Sequence, residues 1–428
     1  MMLKEIALFS FIAVMMLFSS CSENNSSSND KDAASDIETD ADADADAVAD
    51  DDTDEVVVES IEFEIPDERT DIVSSSSKHY AFPDVVKLQT GKFMLVYRMG
   101  AGHAEDSGRI IIHHSEDGIH WGDPDEIIND NTIDDRDPSI TVLSDGRVAV
   151  NWFQYRYPVD YSEPWVHHIM FAAADKNGTE FGNYTQVDTG VFDYSGSSEL
   201  NEEGIWVDSE GAEIKVYASS SSIVEDGTRL IIPGYGGNSL NFNNMSKTPK
   251  GPVVFFISND SGLSWEMYPV EAEIPENTWI QEPALLKVNE NRWILQVRTA
   301  YGASPGAKGD LMQSVSDDGG KTWSAYKSLG FVAHAPELLK LDNGVIVSSF
   351  RWLDWTSSVN REAVSMVYSL DQGETWSEVV EIEDCGLAEC GYPGMVELEG
   401  NRLLVVYYLP GGAGISLKVL NFQETVKG

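Results

Sequence analysis

"SLDQGETW", residues 369–376, has close copies in "SNDSGLSW" (258–265), "SDDGGKTW" (316–323) and "SEDGIHW" (115–121), and a degenerate one in "AADKNGTEF" (173–181). In S-x-D-x-G-x-T-W the hydroxyl and carboxylate can accept from the N–H groups of their own turn, Gly supplies a positive φ, and Trp buries a large ring. The acidic groups therefore read as turn scaffolding. A metal loop fails on ligand count, because no copy offers the regular oxygen series of a calcium-binding loop.

Between these turns runs a second repeat: "VVKLQTGKFMLVYR" (from 85), "ITVLSDGRVAVNWF" (140), "SIVEDGTRLIIPGY" (222), "LLKVNENRWILQVR" (285), "LLKLDNGVIVSSFR" (338) and "MVELEGNRLLVVYY" (395). Each is an apolar run, a polar turn and another apolar run, which predicts a β-hairpin. Six hairpins at spacings of 53 to 82 residues, all but the last followed by a further strand and an Asp-type turn, predict an all-β, six-bladed β-propeller. The last blade lacks the Asp turn, and "VVVESIEFEI" (56–65) is expected to pair beside "ISLKVLNF" (415–422) and close the ring.

The 428 residues, 42% hydrophobic with 11 Trp, suffice for substantial cores. A net charge of −44, from 72 acidic against 28 basic residues, repels phosphate backbones and anionic lipid surfaces, so nucleic acid is not an expected partner. Three segments are expected. Residues 1–21 read as a signal peptide: Lys4, an apolar run from Ile6 to Phe18, and small residues before Cys21. Leu17, Ser19, Ser20 and Cys21 resemble a bacterial lipobox, which implies lipidation at Cys21, an exported lipoprotein of the outer membrane or cell surface, and membrane contact only through that anchor. Residues 22–70, with "DADADADAVADDDTDE" (40–55), form an acidic low-complexity linker, and 71–428 the propeller, expected to be a monomer. Cys385 and Cys390 either bridge a short loop or stay as two thiols. No cofactor is expected, and the eight His show no ligand-spaced framework for a metal.

Inner strands of a propeller converge on a channel, so residues at one end of the hairpins are candidates to meet around one ligand. Five hairpins begin after a Pro, in "HYAFPD" (79–84), "DDRDPS" (134–139), "IQEPAL" (280–285), "AHAPEL" (333–338) and "CGYPGM" (390–395). Beside those prolines stand Asp84, Arg136, Asp137, Glu282, His334, Glu337 and Tyr392. Arginines recur at hairpin ends as Arg98, Arg298 and Arg351, with Arg361 ten residues on. On apolar strands these guanidinium groups need partners. Convergent arginines clamp a carboxylate ligand, or pair with Asp137, Glu282 and Glu337 inside the channel.

This pattern resembles the sialidase (neuraminidase) superfamily of six-bladed propellers with Asp-box repeats, over about residues 75–425. The resemblance implies that Tyr392 is the nucleophile, Glu282 its base, and Arg298 and Arg361 two members of an arginine triad. It also implies a loop Asp as acid, and in "RMGAGHAEDSGRI" Asp106 is the first choice, with His103 and Glu105 as competitors. A tyrosine suits a substrate with a carboxylate on its anomeric carbon, because a neutral phenol approaches it with less repulsion than a carboxylate would. The family's opening aromatic-Arg-Ile-Pro motif is "YAFP" here, with Ala81 in place of the first arginine, for which Arg98 or Arg136 would have to substitute. "RMGAGH", "DDRDPS" and "GYPG" more closely resemble a group of bacterial sialidase-like Asp-box proteins.

The expected activity is therefore an exo-acting retaining glycosidase that removes a terminal acidic sugar from a glycan, with Arg351, Arg136, Asp137, His334 and Glu337 lining its pocket. Two alternatives stand beside it. One is another glycosidase, or a polysaccharide lyase using His103 or His334 with Tyr392. The other is a glycan-binding lipoprotein whose Trp152, Trp352 and Trp355 stack on sugars or pack in the core.

Overall fold

A computed structural model describes residues 58–104, 107–128, 133–156, 166–187, 199–200, 206–207, 210–212, 215–237, 253–276, 278–301, 308–354 and 360–427. The signal and lipobox residues, Cys21 included, lie outside the described residues, as do Glu105, Asp106 and Trp355. All described residues fall in one compact unit, Glu55–Gly428.

Among the described residues the apolar runs form antiparallel sheets in chain order, each begun by one of the expected hairpins. The first is His79–Lys87, Phe93–Gly100, Arg109–Ser115 and Glu126–Ile128, and the second is Asp134–Val142, Val148–Arg156, Val166–Ala174 and Gly182–Gln186. In the third, Arg229–Gly237 pairs with two short pieces, Val216–Ala218 and Val224–Asp226, and is followed by Val253–Ser258 and Glu266–Pro269. The fourth holds Thr278–Lys287, Trp293–Tyr301 and Asp310–Ser316. Its outer strand is the first half of the long Lys327–Lys340, whose second half opens the fifth sheet with Ile346–Asp354, Arg361–Ser369 and Val380–Gly386.

The sixth sheet is Gly391–Leu398, Arg402–Tyr408 and Gly414–Val426, with Val58–Glu64 antiparallel on its outside from Val58↔Val426 to Glu64↔Asn421. The expected closure forms. Val58–Glu64 lies in the stretch read as linker up to residue 70, so the folded unit reaches at least to Val58; the charged residues that mark the linker alternate here with apolar Val58, Ile61 and Phe63, which pack inward.

Consecutive inner strands are tied to one another. The Ile140 N–H donates to Asp84 (2.8 Å), the Ile223 N–H to Thr141 Oγ1 (3.0 Å), and the Ala335 N–H to Glu282 Oε2 (2.8 Å). Cores fill the joints between adjacent sheets: Ile231, Ile280 and Leu295 between the third and fourth, and Val347, Val364 and Val405 between the fifth and sixth. Tyr97, Leu404 and Val406 join the sixth to the first.

The Asp-box groups are spent on turns. Ser369 Oγ donates to Asp371 (2.8 Å) and accepts from the Gly373 N–H (2.8 Å), while the Asp371 carboxylate accepts from the Thr375 N–H (2.8 Å). The copies at 258 and 316 repeat this pattern, and there the hydrogen bonds hold Asp260 and Asp318 down to about 2.

Candidate active site

Five inner strands share one irregularity. Phe82, Asp137, Glu282, Ala335 and Tyr392, each directly before a proline, have φ of 57°, 46°, 47°, 49° and 47°. At each, the pairing with the next strand slips: Ala81/Asp84, Arg136/Ser139, Gln281/Ala284, His334/Glu337 and Gly391/Gly394. Proline has no N–H for the ladder, so it is tolerated at a bulge, and a bulge re-aims a side chain. A left-handed non-glycine residue costs about 1–3 kcal/mol, and such residues gather where function needs them. The third sheet instead breaks its inner strand at Ser219–Ile223. Phe82, Asp137, Ala335 and Tyr392 line one axial cavity, together with Ser220, Asp84 and Glu337.

At the mouth of that ring Tyr392 and Glu282 meet. The Tyr392 hydroxyl donates to Glu282 Oε1 at 2.6 Å, and Arg298 Nη1 donates to the same oxygen at 2.5 Å. Glu282 Oε2 takes the Ala335 N–H, so the carboxylate is held at both ends. Burial first, and then the charge of Glu282, push the Tyr392 phenol well above its ordinary range. It reacts only by giving its proton away as it attacks, and Glu282 is the acceptor in contact.

Asp137 is buried, and burial raises it to about 7 against the pull of Arg136. Its Oδ1 is 3.8 Å from Arg136 Nε, too far for a hydrogen bond. Arg98 and Arg136 converge on Asp134, which sequence reasoning passed over. Arg98 Nε donates to Asp134 Oδ1 (2.7 Å) and Arg136 Nη1 to Oδ2 (3.1 Å). The guanidinium of Arg136 also lies over Phe82 at 5.1 Å and bonds the His103 carbonyl (2.6 Å). The His103 ring meets Phe82 and His79 edge-on, and burial followed by Arg136 lowers its pKa, so it stands neutral near pH 7.

Arg351 donates to Glu362 (2.8 Å) and Glu389 (2.9 Å), and Glu389 also accepts from Tyr408 (3.1 Å). Glu389 is one of the four residues enclosed by the Cys385–Cys390 disulfide, two residues before the Gly391–Tyr392 step. The disulfide alternative for these cysteines is the one observed. Glu389 escaped sequence reasoning because it neither adjoins a proline nor ends a hairpin, whereas Tyr408 ends its hairpin in the position that Arg98, Arg298 and Arg351 hold in theirs and was passed over because only arginines were sought there.

Some expected residues go elsewhere. Arg361 pairs with Asp354 (3.4 Å) and Glu381 (2.7 Å) and lies over Trp352 at 5.4 Å, all within the fifth sheet. Arg361 opens its strand opposite Asp354, and Asp354 together with Glu381 of the outer strand neutralises it. Glu337 faces Asp84 in the axial cavity, where burial and then that like charge raise its pKa well above the carboxylate range. Trp152 is 1% exposed and donates to Asp135, so it is core and not a sugar platform.

A BNR repeat-like domain is matched over residues 209–405. The solved structures that resemble the chain share its architecture at low identity. A protein of unknown function from Dyadobacter fermentans is 20% identical, covers 85% of this chain and 99% of its own, with a TM-score of 0.66. The alpha-L-arabinanase of Penicillium chrysogenum is 15% identical over 84% and 98%, at 0.59, and the intramolecular trans-sialidase of Ruminococcus gnavus 13% over 83% and 96%, at 0.53. The chain has the fold of these sialidase and arabinanase structures. A curated relative, the photosystem II assembly lipoprotein Ycf48 of Prochlorococcus marinus, is 33% identical over 86 residues, and the match spans only a quarter (25%) of that protein. The propeller and its glycosidase neighbours share the fold; the Tyr392–Glu282–Arg298 contact belongs to this chain's own geometry.

Proposed function

We propose that the propeller is an exo-acting retaining glycoside hydrolase of sialidase type, removing a terminal acidic sugar from a glycan. One observation carries the reading: a partly buried phenol 2.6 Å from a carboxylate that an arginine also holds. Tyr392 would attack the anomeric carbon as its proton passes to Glu282 Oε1, giving a tyrosyl-glycoside and the departing alcohol. Water would then hydrolyse that bond with inversion again, so that configuration is retained overall. Arg298 holds the same Glu282 oxygen that accepts the Tyr392 hydroxyl, which fixes the carboxylate in the line of that proton transfer.

The leaving oxygen needs a proton, and Asp106 keeps that part in this reading. Asp137 is a second proton holder near pH 7, close enough for its charge to be felt by Glu282's neighbours. A second reading, hydrolysis of a neutral terminal sugar, is favoured by the engagement with Asp134 of both Arg98, directly across the sheet from Ala81, and Arg136.

The test is incubation of the purified chain with acidic and neutral glycans, with released sugars identified by mass. Free acidic sugar supports the first reading, and release of neutral sugars alone replaces it by the second. Tyr392→Phe and Glu282→Gln should each lower kcat by on the order of 10³-fold or more with the thermal midpoint kept. Full turnover by Tyr392→Phe would remove the nucleophile from this account.

A further inference from the structure

Between the outer parts of the fourth and fifth sheets lies an open groove of about 750 Å³. Leu329 and Phe331 line it from the fourth sheet, Trp352 and Asp354 from the fifth, and the end of the Asp-box turn, from Glu374 to Val379, completes it. Every charged side chain in that lining is a carboxylate: Asp310, Asp354, Glu374 and Glu378. The repeat supplies its own comparison. At the joint of the second and third sheets the corresponding turn, Ser261 to Leu263, borders a groove of about 290 Å³, whose one aromatic ring, Phe171, is 3% exposed and which Arg147 enters. In the larger groove Phe331, Trp352 and Trp376 are all half-buried, so each keeps part of its ring open.

A bulge makes the difference. The pairing of the outer strand slips between Asp310↔Val332 and Met312↔Ser328, and Gly330, at φ +87° with nothing within 4 Å of its missing Cβ, carries the chain out of the ladder. Leu329 and Phe331 flank that excursion. The rings are also fixed in advance: Phe331 stacks on the buried Phe350 with centroids 4.9 Å apart, the Trp376 indole N–H donates to Gln313 (3.0 Å), and the Arg361 guanidinium lies over Trp352.

The polar groups of the lining are matched to one kind of ligand. Its three hydroxyls donate within the chain, Ser328 to Asp310 (2.6 Å), Thr375 to Asp371 (2.5 Å) and Ser377 to the Glu378 carbonyl (2.9 Å). Asp310 takes that one hydroxyl and Glu374 takes Arg292, and since an ionised carboxylate accepts in about four directions, acceptor capacity remains at both. Free acceptors, open aromatic faces and negative charge call for a ligand rich in hydroxyl donors, with flat C–H faces and no anionic group. Peptide carbonyls, phosphates and acidic sugars would set acceptor against acceptor.

We propose that this groove is a second saccharide site, which holds a neutral stretch of glycan across Phe331, Trp352 and Trp376 with its hydroxyls donating to Asp310, Glu374 and Glu378. It does not rest on the hydrolase reading. Its chemistry is the reverse of the arginine-lined mouth at Tyr392.

The experiment is hydrogen–deuterium exchange of the full chain carrying Tyr392→Phe, so that nothing turns over. Maltohexaose, cellohexaose, xylohexaose and arabinohexaose are added singly at millimolar concentration, with hexagalacturonate and hexaglucosamine as anionic and cationic controls. At least one neutral oligomer should slow exchange in residues 327–332 and 374–379 together, and hexagalacturonate should leave both segments unchanged. Trp352→Ala should weaken calorimetric binding of that oligomer by about tenfold or more, the usual scale for truncating an aromatic anchor. Absence of protection by every neutral oligomer, protection confined to the strand ends around Tyr392, equal protection by hexagalacturonate, protection by hexaglucosamine alone, or undiminished binding by a folded Trp352→Ala would each overturn the assignment. If that variant fails to fold, the exchange pattern decides. Turnover of glycans by the unmutated chain bears on the hydrolase alone.

Discussion

At the scale of single residues, the site is organised by who neutralises whom. Asp134 holds Arg98 and Arg136, Glu282 holds Arg298, and Glu362 with Glu389 holds Arg351. Asp137 makes no such hydrogen bond, with Arg136 Nε 3.8 Å away, and burial pushes it up to about 7. Its effect on stability has a definite sign. Between the ordinary carboxylate range near 4 and about 7 the folded chain keeps a proton that the unfolded chain has released, so stability falls as pH rises through that window and levels off above it. The slope from one such group approaches about 1.4 kcal/mol per pH unit. Asp84, raised by burial to about 6, adds to it in the lower part of the window. In Asp137→Asn the amide stays neutral throughout, and urea unfolding at pH 5 and pH 8 should show a flatter profile and a more stable variant at pH 8. Parallel profiles for variant and parent would rule out a protonated Asp137. Much of this layer was hidden in the sequence. Glu282, Arg298 and Tyr392 could be found because each adjoins a repeated proline or ends a hairpin, whereas Asp134 and Glu389 matter through partners 36 and 38 residues away.

At the scale of elements, the Asp-box turns do more than close their own strands. Sequence reading gives each group a local task, and the hydrogen bonds of Ser369 and Asp371 fulfil it. The same turn also reaches the preceding sheet: Arg292 meets Glu374, and Trp376 donates to Gln313 (3.0 Å). Gly373 has φ +83°, and a Cβ there would stand 2.3 Å from Ile294 Cδ1 in the fourth sheet. Gly344 has a similar φ, +89°, with nothing within 4 Å. Gly344→Ala should therefore cost about 1 kcal/mol from backbone strain alone, and Gly373→Ala about 1–3 kcal/mol more through displacement of Ile294. Chemical denaturation orders the two; equal losses would show that the turn does not bear on the fourth sheet. Hairpins, turn glycines and box tryptophans were legible because they follow from local spacing. The left-handed residues before the five prolines were not, since a proline ordinarily biases its predecessor toward extended backbone.

At the scale of the whole molecule, the chain closes on itself by its N-terminal strand. Val58–Glu64 covers the outer edge of Gly414–Val426, and Ile61 is 2% exposed in the core shared by the fifth and sixth sheets. Removing residues 1–64 would bare that edge and withdraw Val58 and Ile61, each worth about 1.5–3 kcal/mol of burial. The truncated chain should melt at a lower temperature and associate through its open strand, which scanning calorimetry and light scattering would register. An unchanged melting temperature in a monodisperse sample would mean that the ring does not depend on this closure. The six-hairpin plan and the closure were accessible from sequence, because repeats and alternation report strands directly, whereas the two cysteines were left open between a bridge and free thiols. The direction in which Arg361 points was not, since ring position follows from register and a register cannot be counted from one strand alone.

The five left-handed residues share one backbone frame, and so the axis behaves as a set of equivalent slots. Phe82, Asp137, Glu282, Ala335 and Tyr392 fill them in chain order, and the broken strand at Ser219–Ile223 stands where a sixth would be. The reactive character of the channel is thus spelled by five interchangeable letters set in a fixed frame. Two of them, Phe82 and Ala335, carry no ionisable group, which leaves room on the same scaffold for a different word.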